Sequence, residues 1–120
     1  MWGEFLLNVT AAGSVAGDTL DVYIQASADN GTTWDDFVHF TQVLGNGGAK
    51  KFLARWQGMI APTTALAAPQ DVAMAAGVAQ GPHGNRWRTK WVIVNGGGTH
   101  SFTFSVLGSG HLKQGNILST

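Results

Sequence analysis

Short segments in which every second residue is apolar recur along this chain, and they constrain its fold more than any other feature. The cleanest is LDVYIQA at residues 20–26, and similar segments begin at residues 5, 51, 87 and 102. Successive side chains of a β-strand point to opposite faces, so this spacing predicts strands with one face buried. The chain is therefore expected to be all-β.

Glycine-rich turns separate these segments and predict how they connect. Asp29-Asn30-Gly31 lies between the strand at 20–26 and an apolar run at 37–43, which predicts an antiparallel hairpin. Two further turns, GNGG at 45–48 and NGGG at 95–98, end neighbouring segments. Seven or eight short strands with such turns favour an antiparallel β-sandwich, with the jelly roll as one candidate arrangement, over a parallel α/β sheet.

The length of 120 residues predicts one domain over residues 1–120. Within it, residues 57–84 lose the alternation and are rich in Ala, Gly, Pro and Thr. Residues 70–79 allow a short helix. Because a strand-free segment of this length is unusual in a compact domain, we expect an extended loop or arm that leaves the sandwich.

Low charge is the main compositional signal. Charged residues make up 12% of the chain, against about 25% in typical soluble domains. Such a surface is poorly protected against association and suits a protein whose surface is covered by partners. All but one of the acidic residues precede position 40 and all the basic ones follow it, which allows either an acidic and a basic face or a mixture of signs across paired strands.

Several functional classes have no support in the sequence. No basic block indicates nucleic-acid binding, and no apolar run approaches the roughly 20 residues of a membrane span. The first residues lack the features of a signal peptide, so we expect a soluble product made in the cytoplasm. The absence of cysteine excludes a thiolate nucleophile and a disulfide framework.

The most specific local motif is SADNGTTW at residues 27–34, which matches the Asp-box pattern of Ser/Thr-x-Asp-x-Gly-x-Thr-Trp. The residues that define it are Ser27, Asp29, Gly31, Thr33 and Trp34. An Asp can accept hydrogen bonds from turn amides, and Gly supplies a positive φ, so the motif predicts a structural hairpin turn. A calcium site that uses Asp29, Asp35 or Asp36 is the alternative.

Catalysis and cofactor binding have no clear candidates. The four histidines are scattered without metal-ligand spacing, and each is expected to be an ordinary surface or interface residue. Asp35 and Asp36 are adjacent, so on a strand they point to opposite faces and make a poor acid and base pair. We therefore predict no catalytic residue, no metal and no cofactor.

Five tryptophans raise the possibility of carbohydrate binding, because a flat exposed ring can stack on a sugar. Trp56, Trp87 and Trp91 share strand faces with other apolar residues and are expected in the core. Trp2 and Trp34 are the candidates for exposure. Trp2 could equally anchor an N-terminal arm against a neighbour.

Two blocks of the chain carry a family resemblance. TLDVYIQASADNGTTWDDFVHFTQVLGNGGAKK at 19–51 and NRWRTKWVIVNGGGTHSFTFSV at 85–106 resemble small β-rich structural proteins of tailed bacteriophages. The resemblance implies a virion component on the capsid surface, a decoration or cement protein that binds the major capsid protein. It also implies a homo-oligomer, with a trimer as the first guess, and it transfers no catalytic residue.

The bridging surface expected from this role comprises the excursion and the two termini. Its candidate residues are Trp2, Met59, Ile60, Leu66, Val72, Met74, Leu112, Ile117 and Leu118. The competing class is a carbohydrate-binding β-sandwich module, free or on a phage tail, that uses Trp34 and its polar neighbours.

Overall fold

The computed structural model describes residues 2–27, 29–57, 78–79, 86–97 and 101–111. All regular elements in these ranges are strands. In chain order they are β1 Trp2–Ala11, β2 Thr19–Ser27, β3 Asp35–His39, β4 Val43–Leu44, β5 Lys50–Gln57, β6 Val78–Ala79, β7 Arg86–Val94 and β8 Thr103–His111. The alternating segments thus form the strands that their spacing predicts.

The strands form two antiparallel sheets. In the three-stranded sheet, β1 lies between β5 and β8. In the five-stranded sheet, β2 is central: β7 pairs along one side of it, β3 and β4 pair in succession along the other, and β6 continues from β3. The expected β-sandwich is confirmed, whereas a jelly roll is not shown.

The core lies between the sheets and is built from the apolar faces of the alternating strands. Phe5 of β1 meets Phe37 of β3 edge to face, with ring centroids 5.6 Å apart, and so joins the two layers. The buried residues of this cluster are Phe5, Leu7, Val9, Leu20, Val22, Ile24, Ala26, Phe37, Val38, Phe40 and Val43. All come from β1, β2 and the β3–β4 run, so the core is densest along these strands.

Three loops meet at one end of the sandwich around Asp18. Its carboxylate Oδ1 accepts a hydrogen bond from the backbone N–H of Gly96 at 2.7 Å, and its carbonyl accepts one from Gly45 at 2.7 Å. Gly96 lies so close to Gly17 that a Cβ on Gly96 would collide with the Gly17 backbone. The absence of a side chain at Gly96 therefore lets the loop that follows β7 approach the one that precedes β2.

Two local features differ from the simplest reading of the sequence. The register of β2 and β3 shifts between Ile24 and Gln25, which face Val38 and Asp36, so Phe37 is the additional residue of a β-bulge. Residues 78–79 form β6 on the edge of β3. The expectation of a strand-free excursion over 57–84 is therefore wrong at these two residues, which pair with the edge of β3 and are not part of the short helix that residues 70–79 allowed. Residues 58–77 and 80–84 lie outside the described part.

Candidate functional site

The Asp-box motif forms the turn between β2 and β3. The Asp29 carboxylate accepts hydrogen bonds from the Ser27 hydroxyl at 2.8 Å, from the Thr32 N–H at 3.0 Å, and from the Thr33 N–H and hydroxyl at 2.8 and 2.7 Å. The Ser27 hydroxyl in turn accepts the Gly31 N–H at 2.7 Å. Four of these five bonds are accepted by Asp29, so its side chain closes the loop with the help of Ser27.

Electrostatics and backbone conformation agree with this arrangement. The backbone and side-chain hydrogen bonds from Thr33, then that from Ser27, lower the pKa of the exposed Asp29 carboxyl to about 2. Asn30 and Gly31 have φ of 63° and 100°, the left-handed region that Asn and Gly tolerate best. Because the Asp29 oxygens are engaged by the turn itself, a calcium ion would have to compete with four protein donors.

Trp34 is half-buried against this turn, and the expectation that its ring is exposed is wrong. The indole Nε1 donates to the carbonyl of Gly31 at 3.1 Å, and the Arg88 guanidinium lies over the ring, 4.4 Å from its centroid. Strand pairing of β7 with β2 places Arg88 there, which the local motif could not indicate.

The outer face of β2 carries a polar layer that sequence reasoning missed. Gln25, completely buried, donates to the Asp36 carboxylate at 2.7 Å and accepts from Arg88 Nε at 2.7 Å. Asp36 is itself buried. Alternation predicted this face to be exposed; instead, side chains of the neighbouring strands β3 and β7 pack on Gln25, Asp36 from one and Arg88 from the other.

A second polar group lies on the same face. His39 Nε2 is 2.8 Å from Asp21 Oδ1, and Gln42 donates to Asp21 Oδ2 at 2.8 Å. The His39 ring stacks on the Tyr23 ring, with centroids 4.1 Å apart. Lys90 Nζ lies over the same Tyr23 ring, 5.5 Å from its centroid. Burial, and then the nearby carboxylates, raise the pKa of the Tyr23 phenol. The expectation of an ordinary surface histidine is wrong for His39, which is 6% exposed.

These contacts bear on the two charge arrangements that the sequence allowed. β7, which carries Arg88 and Lys90, pairs with β2, next to the acidic side chains of Asp21 and Asp36. On the other sheet, Glu4 of β1 is the cross-strand partner of Arg55. Strand pairing in the described part of the chain therefore mixes the signs.

Strand β7 exposes much more apolar surface than its sequence predicts. Trp91 is 56% exposed and Trp87 44%, although both face the other sheet. The assignment to the core is wrong for Trp91. It holds in part for Trp87, whose ring lies 5.5 Å from that of Phe5 and 5.9 Å from that of Phe37, centroid to centroid. The side chains of Val92, Ile93 and Val94 are also exposed. This exposure follows from the position of the strand, because β7 and β8 are edge strands on the same side of the sandwich. There the Trp91 ring meets the Phe104 ring edge to face, with centroids 6.0 Å apart.

A second apolar surface crosses the outer face of the three-stranded sheet. Leu6 of β1 is the cross-strand partner of both Leu53 on β5 and Leu107 on β8. Leu53 and Leu107 are 51% and 62% exposed, and Leu6 is partly exposed between them. We call these three residues the leucine row. Polar cross-strand partners, among them Lys51 and Ser105, flank it.

The predicted bridging residues are mostly outside the described part of the chain. Only Trp2 is placed there, in β1 opposite Gln57 and His111. Outside it lie Met59, Ile60, Leu66, Val72, Met74, Leu112, Ile117 and Leu118. The leucine row and the apolar end of β7 were not predicted as interaction surfaces, because exposure depends on which strands become edges.

The described residues contain no cluster of three or more His, Cys, Asp or Glu side chains that could hold a metal ion. Asp35 and Asp36 face Ala26 and Gln25 of β2 and so point to opposite faces. Across the same residues, we find no helix with the length and apolar character needed to cross a membrane.

Comparisons with protein-family models, with curated proteins and with solved structures each give no match to this chain.

Proposed function

We propose that this chain is a virion structural protein of a tailed bacteriophage, a decoration protein that binds the major capsid protein and stabilises the shell. Its role is binding and assembly without catalysis. The resemblance of residues 19–51 and 85–106 to phage structural proteins supplies the biological setting. The leucine row is the single structural observation that supports it.

The physical argument starts from the exposed area of these leucines. Three leucines in cross-strand register form one continuous patch on a sheet face, and two of them are more than half exposed. Burying exposed apolar side chains against a partner stabilises the complex by about 25 cal/mol per Å² of apolar surface. A patch of this size gives a modest contact, which suits a subunit bound many times over on a lattice.

Polar and charged residues surround the leucine row and support its assignment as the contact with the capsid. Lys51 of β5, next to Asn8 of β1, borders the leucines on one side, and Glu4 of β1 borders them on the other. An apolar centre with a polar rim is the usual anatomy of a protein interface. We therefore assign the capsid contact to the outer face of the three-stranded sheet.

Quantitative mass spectrometry of purified particles of the encoding phage tests the setting. A copy number equal to that of the major capsid protein, or a simple fraction of it, is the expected result. A few copies per particle would move the protein to the tail or portal region, and its absence from particles would refute the virion role.

Binding of variants to particles that lack the protein tests the surface. Leu107→Lys should weaken binding by roughly tenfold or more, since a charge in an apolar contact costs more than about 1.4 kcal/mol. Ser105→Lys is the matched control, because Ser105 is exposed on the same face of the same strand. Equal binding by the two variants would exclude the leucine row as the contact.

A carbohydrate-binding module is the second candidate, and the exposure of Trp91 favours it. More than half of this side chain is accessible, and a flat ring in this state can stack on a sugar. Quenching of tryptophan fluorescence by a glycan, lost in Trp91→Ala, would support this function. No response across a broad glycan panel would count against it.

A further inference from the structure

The apolar end of β7 is the strongest unexplained surface of the molecule. Residues 91–94 are four consecutive apolar residues, all exposed by 39–56%. Within the described part of the chain, β7 pairs with β2 alone, so its second edge has no strand partner there. Along such an edge, about half of the backbone N–H and C=O groups point outward and can bond to another strand.

Charge is distributed unevenly along this strand. Arg86, Arg88 and Lys90 occupy its first half, and residues 91–94, which complete the strand, carry no charge. Arg88 is engaged with Gln25 and Trp34, and Lys90 with Tyr23, so both lie across the outer face of their own sheet toward β2 and away from the free edge of β7. The end that remains available for a partner is apolar and neutral.

We propose that the β7 edge pairs with the β7 edge of a second copy of this chain, antiparallel, with Val92 opposite Val92 on a twofold axis. The two five-stranded sheets then continue into one sheet across the dimer. A twofold contact is self-complementary, so each residue on one side must fit a residue of the same short segment on the other.

The register follows from charge and size. With Val92 on the axis, Trp91 of each copy faces Ile93 of the other, and Lys90 faces Val94. Aromatic and β-branched residues are favourable cross-strand partners. The register centred on Lys90 would instead place two like charges opposite each other, which is destabilising. The pairing gives each of the four exposed apolar residues of this end a cross-strand neighbour in the second copy.

Cross-linking tests the contact directly, because the chain contains no cysteine of its own. In Val92→Cys the two thiols would face each other at a distance that a disulfide can bridge. With oxidised glutathione, we expect a covalent dimer to form about tenfold or more faster than with Leu107→Cys, the exposed control on the other sheet. Faster cross-linking of Lys90→Cys would refute the register, and equal rates for all three would refute the contact.

Sedimentation equilibrium provides a second measurement that does not depend on cysteine. The edge contact is smaller than the roughly 800 Å² per partner of standard interfaces, so we expect a dimer that dissociates on dilution. Val92→Lys should remain monomeric where the native chain dimerises, and Leu107→Lys should dimerise normally. A native chain that is monomeric at every concentration, or a trimer, would overturn the proposal.

This inference rests on the proposed function in one respect: a dimer through β7 would serve a protein whose role is assembly. It is measured on the isolated chain, whereas the virion role is measured on particles. A monomeric chain found on capsids would refute the edge pairing alone, and a dimer absent from particles would refute the virion role alone.

Discussion

Replacement of Gln25 tests whether the polar layer on the outer face of β2 stabilises the fold. Gln25→Leu keeps a side chain of similar volume but removes the donor to Asp36 and the acceptor for Arg88. The Asp36 carboxylate is 1% exposed, so water cannot readily replace the lost donor.

The magnitude follows from the two bonds. A hydrogen bond to a buried carboxylate contributes about 1.5–3 kcal/mol, and the bond to the exposed Arg88 contributes about 0.5–1 kcal/mol. Their sum predicts a loss of about 3 kcal/mol in the free energy of unfolding. For a domain of this size, that loss corresponds to a decrease in Tm of roughly 10 °C.

Urea unfolding followed by tryptophan fluorescence measures this loss. Gln42→Leu is the matched control, because Gln42 is exposed in the connection between β3 and β4, where water can replace its hydrogen bond to Asp21, and its loss should change stability by less than about 1 kcal/mol. A double variant, Gln25→Leu with Asp36→Leu, should lose less than the sum of its parts, because no buried carboxylate remains. Equal urea midpoints for Gln25→Leu and the native chain would refute the reasoning.

Three further predictions concern other parts of the fold. The lowered pKa of Asp29 means that its contribution to stability is present above about pH 4 and is lost as the pH falls toward 2, so the difference in Tm between the native chain and Asp29→Asn should shrink over that interval. Gly96→Ala should lower the free energy of unfolding by about 1–3 kcal/mol in urea titrations, because the new Cβ collides with Gly17; an unchanged midpoint would show that the loops do not meet. Phe37→Ala should cost about 3–5 kcal/mol in the same assay and Trp91→Ala much less, since Phe37 is fully buried and Trp91 mostly exposed; equal losses would place Trp91 in the core.

Local sequence was sufficient to predict the long strands and the main turn, but not the two-residue strand β6 or the division of residues 37–43 between β3 and β4. The alternation at residues 20–26 identifies β2 because a strand with one face in the core needs apolar residues at every second position. The Asp-box motif fixes the β2–β3 turn because its hydrogen bonds all form within eight residues. Neither prediction required knowledge of the other strands.

The order of the strands in each sheet, in contrast, could not be predicted from the sequence. The wrong predictions of which side chains are buried follow from this. Trp87 and Trp91 have the alternation of core residues, but their strand is at an edge, so much of each ring remains exposed. His39 and Gln25 lie on a face that alternation assigns to solvent, but both are buried among side chains of neighbouring strands, His39 against Tyr23 and Gln25 between Asp36 and Arg88. Burial in a sheet depends on the neighbours of a strand, which are distant in sequence.

The leucine row of the candidate site could not be predicted from the sequence for the same reason. Leu6, Leu53 and Leu107 come from three separate segments, and only the registers of β1 with β5 and β8 bring them together. No local signal could have identified them as one surface.

The central position of β1 has a consequence for folding kinetics. Its partners β5 and β8 lie far along the chain, and the Thr10 hydroxyl bonds to the carbonyl of Thr103 across a separation of 93 residues. The β2–β3 hairpin can form early, but the three-stranded sheet cannot be completed during synthesis until β8 has left the ribosome. Such non-local pairing places folding in the range of milliseconds to seconds. β1 presents two unpaired edges until β5 emerges and one until β8 emerges, together with the apolar face of Phe5, Leu7 and Val9. This is the interval in which a nascent chain is most exposed to aggregation.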